Sequence, residues 1–324
     1  MQNTALVTGA AGFIGSHLVD KLLDRGYRVV GIDNLVLGRL SNLKSAEATG
    51  RFELIREDLL NEDSCLELLK ATLQRHSVGG IDLVWHMAAN SDISAGVSDP
   101  GADLRNTFLT TFHTLNLMKK LSARRILFAS SSAIYGDHQS VLKEGTGPLM
   151  PISNYGAMKL ASEGIISAAV EGYLEKAWIF RFPNVTGARA THGVIYDFVK
   201  RLTQDPSQLQ VLGDGTQKKP YLHVSELVDA MLFIYDHAAE SRNCFNIGQT
   251  NNATTVRYIA EGVVRQFAPK AKIHYGIGRK GWVGDVPEFA FSVAKLRTLG
   301  WSPKQTSDQA IAQATREIVA DFRA

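Results

Sequence analysis

The sequence predicts an α/β fold built on a doubly wound parallel sheet, with a smaller lobe following it. Three observations carry this. Apolar runs of strand length alternate with helical patterns through the first half of the 324 residues, so successive strands are joined by crossovers that bury both faces of the sheet. The first run, Ala5-Leu6-Val7, passes through Thr8-Gly9-Ala10-Ala11-Gly12-Phe13-Ile14-Gly15 into a helical pattern marked by Leu18, Leu22 and Leu23. From about residue 184 the alternation loosens, and Gly, Pro, Asn and Asp are scattered among shorter elements.

Along the chain, Arg28-Val29-Val30-Gly31-Ile32 reads as the second strand and ends in Asp33. Further strands are expected at Phe52–Arg56, Leu83–His86, Ile126–Ala129 and Trp178–Arg181, with helices over 102–121 and 155–171. Leu222–Ala238 and Cys244–Gly248 again read as a helix and a buried strand that return to the large sheet. The expected division is therefore a first domain over 1–183, with returning segments near 222–248, and a partly interleaved second lobe over 184–324. No internal repeat or low-complexity tract is evident.

Composition excludes several classes. The chain is 45% apolar and carries 35 basic against 32 acidic residues, a net charge of +3 with no Lys/Arg run, so neither nucleic acid nor a membrane surface is an expected partner. Only Cys65 and Cys244 are present, far apart, which points to a reducing compartment without disulfides. The early first strand leaves no room for a signal peptide, and no stretch is long and apolar enough to span a bilayer, so a cytoplasmic location is expected. The nine histidines show no zinc-site spacing such as His-Glu-x-x-His, and no metal is expected.

The glycine run has a specific use. Gly9 turns the chain after the strand, Gly12 admits phosphate close to the backbone, and Gly15 lets the helix pack on the strand, while the helix N-terminus offers N–H groups and partial positive charge. The spacing is Gly-x-x-Gly-x-x-Gly, one residue longer at the first gap than the usual dinucleotide fingerprint. Asp33, eighteen residues after Gly15, is placed to accept both adenosine ribose hydroxyls and to repel a 2′-phosphate, which favours NAD over NADP. Arg39 nearby is suited to a phosphate and keeps NADP open; Asp33-Asn34 also reads as a simple turn.

Ser130-Ser131-Ser132 follows a strand end, where ligands of open α/β sheets bind. Downstream, Tyr155 and Lys159 stand four apart on one face of a helix whose N-cap is Ser153 or Asn154. An ammonium beside a phenol stabilises phenolate, so Tyr155 could take a hydroxyl proton as hydride leaves the same carbon. The spacing alone decides little, because Tyr196 and Lys200 repeat it. Position favours the first pair, which follows the serine-bearing strand; the second reads as an ordinary helix face.

Together Val7–Gly15, His86-Met87-Ala88-Ala89, Ser130-Ser131-Ser132-Ala133-Ile134-Tyr135-Gly136 and Tyr155-Gly-Ala-Met-Lys159 resemble the extended short-chain dehydrogenase/reductases with a Rossmann fold. Within them the chain is most similar to the nucleotide-sugar epimerase/dehydratase group, above all UDP-hexose 4-epimerases. The resemblance implies NAD contacts from Gly9, Gly12, Phe13, Ile14, Gly15, Asp33, Asn34, Asp58, Leu59, Ala88, Ala89, Asn106, Tyr155, Lys159 and Pro183. It implies catalysis by Ser131, Tyr155 and Lys159, with Ser131 selected four residues before Tyr135. It also implies sugar-nucleotide contacts from Ser131, Ser132, Asn184, Lys219, Arg279 and Asp285, and a homodimer paired through the two helices over 102–121 and 155–171.

Two departures from the family pattern bear on the nucleotide. Lys219-Pro220 stands where Arg-Asp is common, and Trp282 stands where an Arg often precedes Gly284-Asp285, leaving Arg279 or Lys280 for a phosphate. The implied reaction is inversion at C4 of a UDP-sugar through a 4-keto intermediate. Dehydratases of the group place Asp then Glu after the catalytic hydroxyl, and decarboxylases tend to keep the Glu; here Ser132 and Ala133 hold those positions, and an alanine methyl transfers no proton. A 4,6-dehydratase, a decarboxylase, a 4-keto reductase and a non-catalytic nucleotide sensor remain as alternatives, and the sugar itself is left open.

Overall fold

The computed structural model of the protein describes residues 3–138, 141–249, 253–278 and 291–323. Its strands are β1 (Thr4–Thr8), β2 (Arg28–Asp33), β3 (Phe52–Arg56), β4 (Leu83–His86), β5 (Arg125–Ala129), β6 (Lys176–Arg181), β7 (Asn184–Thr186), β8 (Gln208–Val211), β9 (Lys218–His223), β10 (Arg242–Asn246), β11 (Ala253–Thr255) and β12 (Lys272–Tyr275). The chain folds as two compact units, one of Met1–Ile134, Ser153–Arg181 and Tyr235–Phe245, the other of Tyr135–Ile152, Phe182–Ile234 and Asn246–Ala324.

The first unit is the predicted α/β layer. Seven strands run in the order β10-β6-β5-β4-β1-β2-β3, and β2, β4, β5 and β6 join their neighbours in parallel, with Val7 opposite Gly31 and Trp85 opposite Leu127. Strand order reverses between β1 and β4, so the carboxyl ends of these two strands open the crevice where such sheets bind ligands. Alternate residues face opposite sides. Leu6, Val84, Ile126 and Ile179 join a core with Leu69, Leu117 and Ile166 of the covering helices. On the other face Trp85 stacks on Phe180, and both Trp85 and Trp178 meet Tyr235. Burial on both sides explains why these strands read as unbroken apolar runs.

One expected helix is built differently. Residues 102–121 comprise the end of a short helix, Pro100–Asp103, then a π-helical stretch, Leu104–Leu109, and only then the α-helix Thr110–Lys120. The hydroxyls of Thr110, Thr111 and Thr114 each donate to a carbonyl one turn back, a competition that loosens the helical ladder. Hydrophobic periodicity carries no trace of it.

In the second unit β9 lies between β7, parallel to it, and β11, antiparallel to it, while β8 and β12 form a parallel pair. Helices Val194–Gln204, Val256–Phe267 and Ser307–Arg323 bury Phe198, Val263 and Ile318 among others. A polar tie crosses this core: buried His223 is 2.9 Å from Glu317 Oε2 through Nε2 and 2.8 Å from Ser225 Oγ through Nδ1. Among the described residues no helix is long and apolar enough to cross a membrane.

Candidate active site

The glycine loop has the geometry its residue types require. Gly9 sits at φ +68°, and a Cβ there would come within 2.8 Å of the Ala88 nitrogen; a Cβ on Gly15 would stand 2.0 Å from the Gly9 carbonyl oxygen. Gly12 caps helix Phe13–Asp24 without any side-chain capping bond, and no acidic residue lies in its first turn. The helix N-terminus is therefore available to an anion such as a pyrophosphate.

Asp33 ends β2 beside this loop. Its Oδ2 accepts from the Ala11 N–H at 2.9 Å and its Oδ1 from the Leu35 N–H at 2.8 Å. Burial raises its carboxyl above the usual range, against these backbone bonds. Gly38 must be glycine, since a Cβ would lie 2.6 Å from Asp33 Oδ1. Asn34 Nδ2 donates to Asp58 Oδ2 at 2.9 Å, Leu59 is buried beside Asp58, and the Ala88 N–H reaches Thr8 Oγ1 at 3.3 Å. Phe13, Ile14 and Ala89 are half-buried. Asn106 is exposed; its carbonyl accepts the Asn90 N–H at 3.0 Å, and the buried Thr107 hydroxyl shares that N–H at 3.1 Å.

At the end of β5 the three serines diverge. Ser130 Oγ donates to Glu163, whereas the Ser131 hydroxyl stands beside the Tyr155 phenol, where it favours the phenolate, and accepts the Ala133 N–H at 3.1 Å. Ser132 begins the short turn that follows. Helix Asn154–Gly172 starts at Ser153, whose hydroxyl accepts the Gly156 N–H at 3.1 Å and so presents Tyr155 in the first turn. Lys159 is 2% exposed. Its Nζ donates to the Ala129 carbonyl at 2.6 Å and lies 4.7 Å from the Phe128 ring centre and 5.8 Å from that of Tyr155.

This enclosure governs the electrostatics. Burial pushes the Tyr155 phenol up to about 12, with the Ser131 bond opposing it and the Asp103 charge adding to it. Burial pulls Lys159 down to about 7, against the fields of Glu163 and Asp103. Lys159 therefore changes charge near neutral pH, within reach of the phenol.

Glu163, one turn beyond Lys159, escaped the reading of the sequence, although its i+4 spacing from Lys159 was a usable signal. It takes Arg181 Nε at 3.0 Å and Nη2 at 2.6 Å, a fork holding β6 against helix Asn154–Gly172. His86 was also missed as an individual: Thr8 Oγ1 lies 2.7 Å from Nδ1 and Thr111 Oγ1 3.0 Å from Nε2, and burial drops the imidazole to about 3. It is a neutral tie joining β1, β4 and helix Thr110–Lys120.

In the second unit Asn184 begins β7, with its Nδ2 3.5 Å from the Pro220 carbonyl; Pro183 precedes it and packs at Gly248, and Lys219 pairs with Thr254 in β9. Arg279, Lys280, Trp282 and Asp285 lie outside the described residues.

The model of the NAD dependent epimerase/dehydratase family matches residues 5–248. A putative UDP-glucose 4-epimerase of Methanocaldococcus jannaschii is 29% identical over 304 residues, 92% of this chain and 93% of that protein. UDP-glucuronic acid decarboxylase 1 of Arabidopsis thaliana is 30% identical over 98% of this chain and 69% of its own length. A solved UDP-glucose 4-epimerase of Thermotoga maritima, with UDP-glucose, superposes with a TM-score of 0.82 at 27% identity, covering 98% of this chain and 99% of that one. With the glycine loop, Ser131 beside Tyr155 and the enclosed Lys159 in place, the match over most of the chain shows that this protein belongs to the NAD dependent epimerase/dehydratase family.

Proposed function

We propose that the protein is an NAD-dependent UDP-sugar 4-epimerase. The observation that carries this is the cluster of half-buried Ser131 and Tyr155 with buried Lys159 at the end of β5, on a chain of this family. Residues 1–183 hold the cofactor in this reading and 184–324 supply the sugar-nucleotide side. The open helix start at Gly12 takes the pyrophosphate, Asp33 with Asn34 and Asp58 takes the adenosine end, and Ala88, Ala89, Asn106 and Pro183 line the nicotinamide side. Asp33 has lone pairs left for ribose hydroxyls beyond its two backbone bonds. NAD, when bound, supplies the hydride acceptor and donor for C4 and a positive ring beside the phenol.

Tyr155 takes the proton of the sugar O4 hydroxyl and returns it after the C4 configuration is inverted. Desolvation opposes its ionisation, so the Ser131 bond and neighbouring positive charge must offset that cost. Lys159, held by the Ala129 carbonyl, provides such a charge. Ser131 is directed at the place where charge develops on O4. Ser132, Asn184, Lys219, Arg279 and Asp285 orient the sugar nucleotide. The decarboxylase relative keeps a second chemistry in view, but Ala133, whose N–H points to Ser131 Oγ, offers no acid for elimination. The apolar helix pair, including Phe112 at 44% exposed, supports a homodimer, and two cysteines not joined in a disulfide support a cytoplasmic setting.

The test is incubation of the NAD-loaded protein with a panel of UDP-sugars and identification of products by NMR. Interconversion of a UDP-hexose and its C4 epimer without net NADH is expected. A product lacking the C6 oxygen, or carbon dioxide from a uronic acid, overturns the reading.

A further inference from the structure

Three buried titratable groups surround the Tyr155–Lys159 pair, and two of them are matched. Glu163 is 6% exposed and is neutralised by the Arg181 fork while accepting the Ser130 hydroxyl. His86 is held neutral between Thr8 and Thr111. Asp103 differs. It is fully buried, its Oδ1 accepts Asn90 Nδ2 at 2.8 Å, and its Oδ2 has no hydrogen-bond partner among the described residues. No cation among the described residues forms an ion pair with it.

The surroundings of Asp103 lead back to the catalytic tyrosine. Asp103 closes the helix Pro100–Asp103 immediately before the π-helical stretch, which packs on helix Asn154–Gly172. Its free oxygen lies against Gly96, where a Cβ would stand 1.8 Å away. The Gly96 carbonyl accepts Asn154 Nδ2 at 2.9 Å, one residue before Tyr155. A buried carboxylate oxygen without a partner costs more than a hydrogen-bonded one, so a purely structural group would normally be satisfied or replaced by an amide. Burial raises the Asp103 carboxyl above the usual range and nearby Asp92 adds to this, while the Asn90 bond and the field of Lys159 favour the charged carboxylate.

We propose that Asp103 is a positioning residue for proton transfer at Tyr155, the unmatched buried negative charge that sets the pH at which the Tyr155–Lys159 pair releases its protons. The inference rests on the epimerase reading for its purpose, though not for its test. An ionised Asp103 opposes phenolate formation at Tyr155 and favours the ammonium of Lys159. The other charged or titratable groups facing the pair are Glu163, backed by Arg181, and neutral His86, while Asp92 faces Asp103 from the loop side. Removing the Asp103 charge therefore moves both releases to lower pH.

The experiment is a titration of tyrosinate absorbance at 295 nm in the NAD-loaded protein, with and without Asp103→Asn, each paired with its Tyr155→Phe counterpart so that the difference isolates Tyr155. Asp103→Asn is expected to lower the Tyr155 midpoint by about one unit. Asp103→Ser, smaller and equally neutral, is expected to do the same. The acid limb of kcat with UDP-glucose should move in the same direction. An unmoved midpoint in a folded variant overturns the proposal even if activity falls, because the carboxylate is then only structural. Failure of both variants to fold and hold NAD overturns it on the same ground. The titration uses no sugar, so a protein that turns over no UDP-sugar sinks the epimerase reading while the Asp103 result stands.

Discussion

Two helices of this protein carry Tyr-x-x-x-Lys, and the surrounding structure treats them oppositely. In Asn154–Gly172, Tyr155 has the Ser131 hydroxyl beside its phenol, and Lys159 is enclosed between the Ala129 carbonyl and the Phe128 ring. In Val194–Gln204, Tyr196 packs on Phe322 with ring centres 5.1 Å apart, and Lys200 is exposed. The spacing places two side chains on one face, which is a property of a single helical turn. Chemistry comes from what lies opposite that face. Withdrawal of water brings Lys159 to a charge change near neutral pH, an effect that solvent screens at an exposed lysine.

The largest test of this contrast is substitution of the two tyrosines. Tyr155→Phe is expected to cut kcat by about 10²–10⁴-fold with NAD and UDP-sugar still bound, the range for loss of a general acid–base group. Tyr196→Phe is expected to leave the rate unchanged. Equal losses in steady-state assays would break the comparison.

The residue one turn past each lysine sharpens it. Glu163→Ala leaves Arg181 buried without its carboxylate and is expected to cost about 3–5 kcal/mol of stability. Gln204, the equivalent position in the other helix, is exposed, and Gln204→Ala should stay within about 0.5 kcal/mol. Denaturant midpoints decide between them.

A third difference lies in the pH dependence of stability. Lys159 binds its proton less tightly in the folded protein than in the unfolded chain, about 7 against 10.5. Between those values the unfolded chain holds more protons, so this group makes stability rise with pH. Lys159→Met should flatten the rise between pH 7 and 9 in urea titrations. A slope unchanged by Lys159→Met would show that the lysine is better solvated than its burial indicates.

The smallest effect is at the helix starts. Ser153→Ala removes the hydroxyl that caps helix Asn154–Gly172, at a cost of about 1 kcal/mol. The other helix begins at Gly193, which has no side chain to lose. Thermal melts should resolve the Ser153 change. A kcat fall disproportionate to that small destabilisation would show that the cap also aims Tyr155.

Much of the site was legible because its signals are local. Each glycine of the first loop answers a close approach or a positive φ within a few residues, the Ser153 cap spans three residues, and alternating apolar runs state which strands are covered on both faces. These effects act over one turn of chain, so residue order alone determined the strand–loop–helix unit, the parallel sheet and the candidates Ser131, Tyr155 and Lys159. Other features depend on partners far away in sequence. Tertiary structure decided that Ser130 serves Glu163 while Ser131 serves Tyr155, and that Arg181 neutralises Glu163. It also produced the π turn after Asp103 and left that carboxylate with an unmatched oxygen. Desolvation and charge pairing depend on which side chains converge in space, and a one-dimensional pattern specifies spacing along an element without specifying what that element will face.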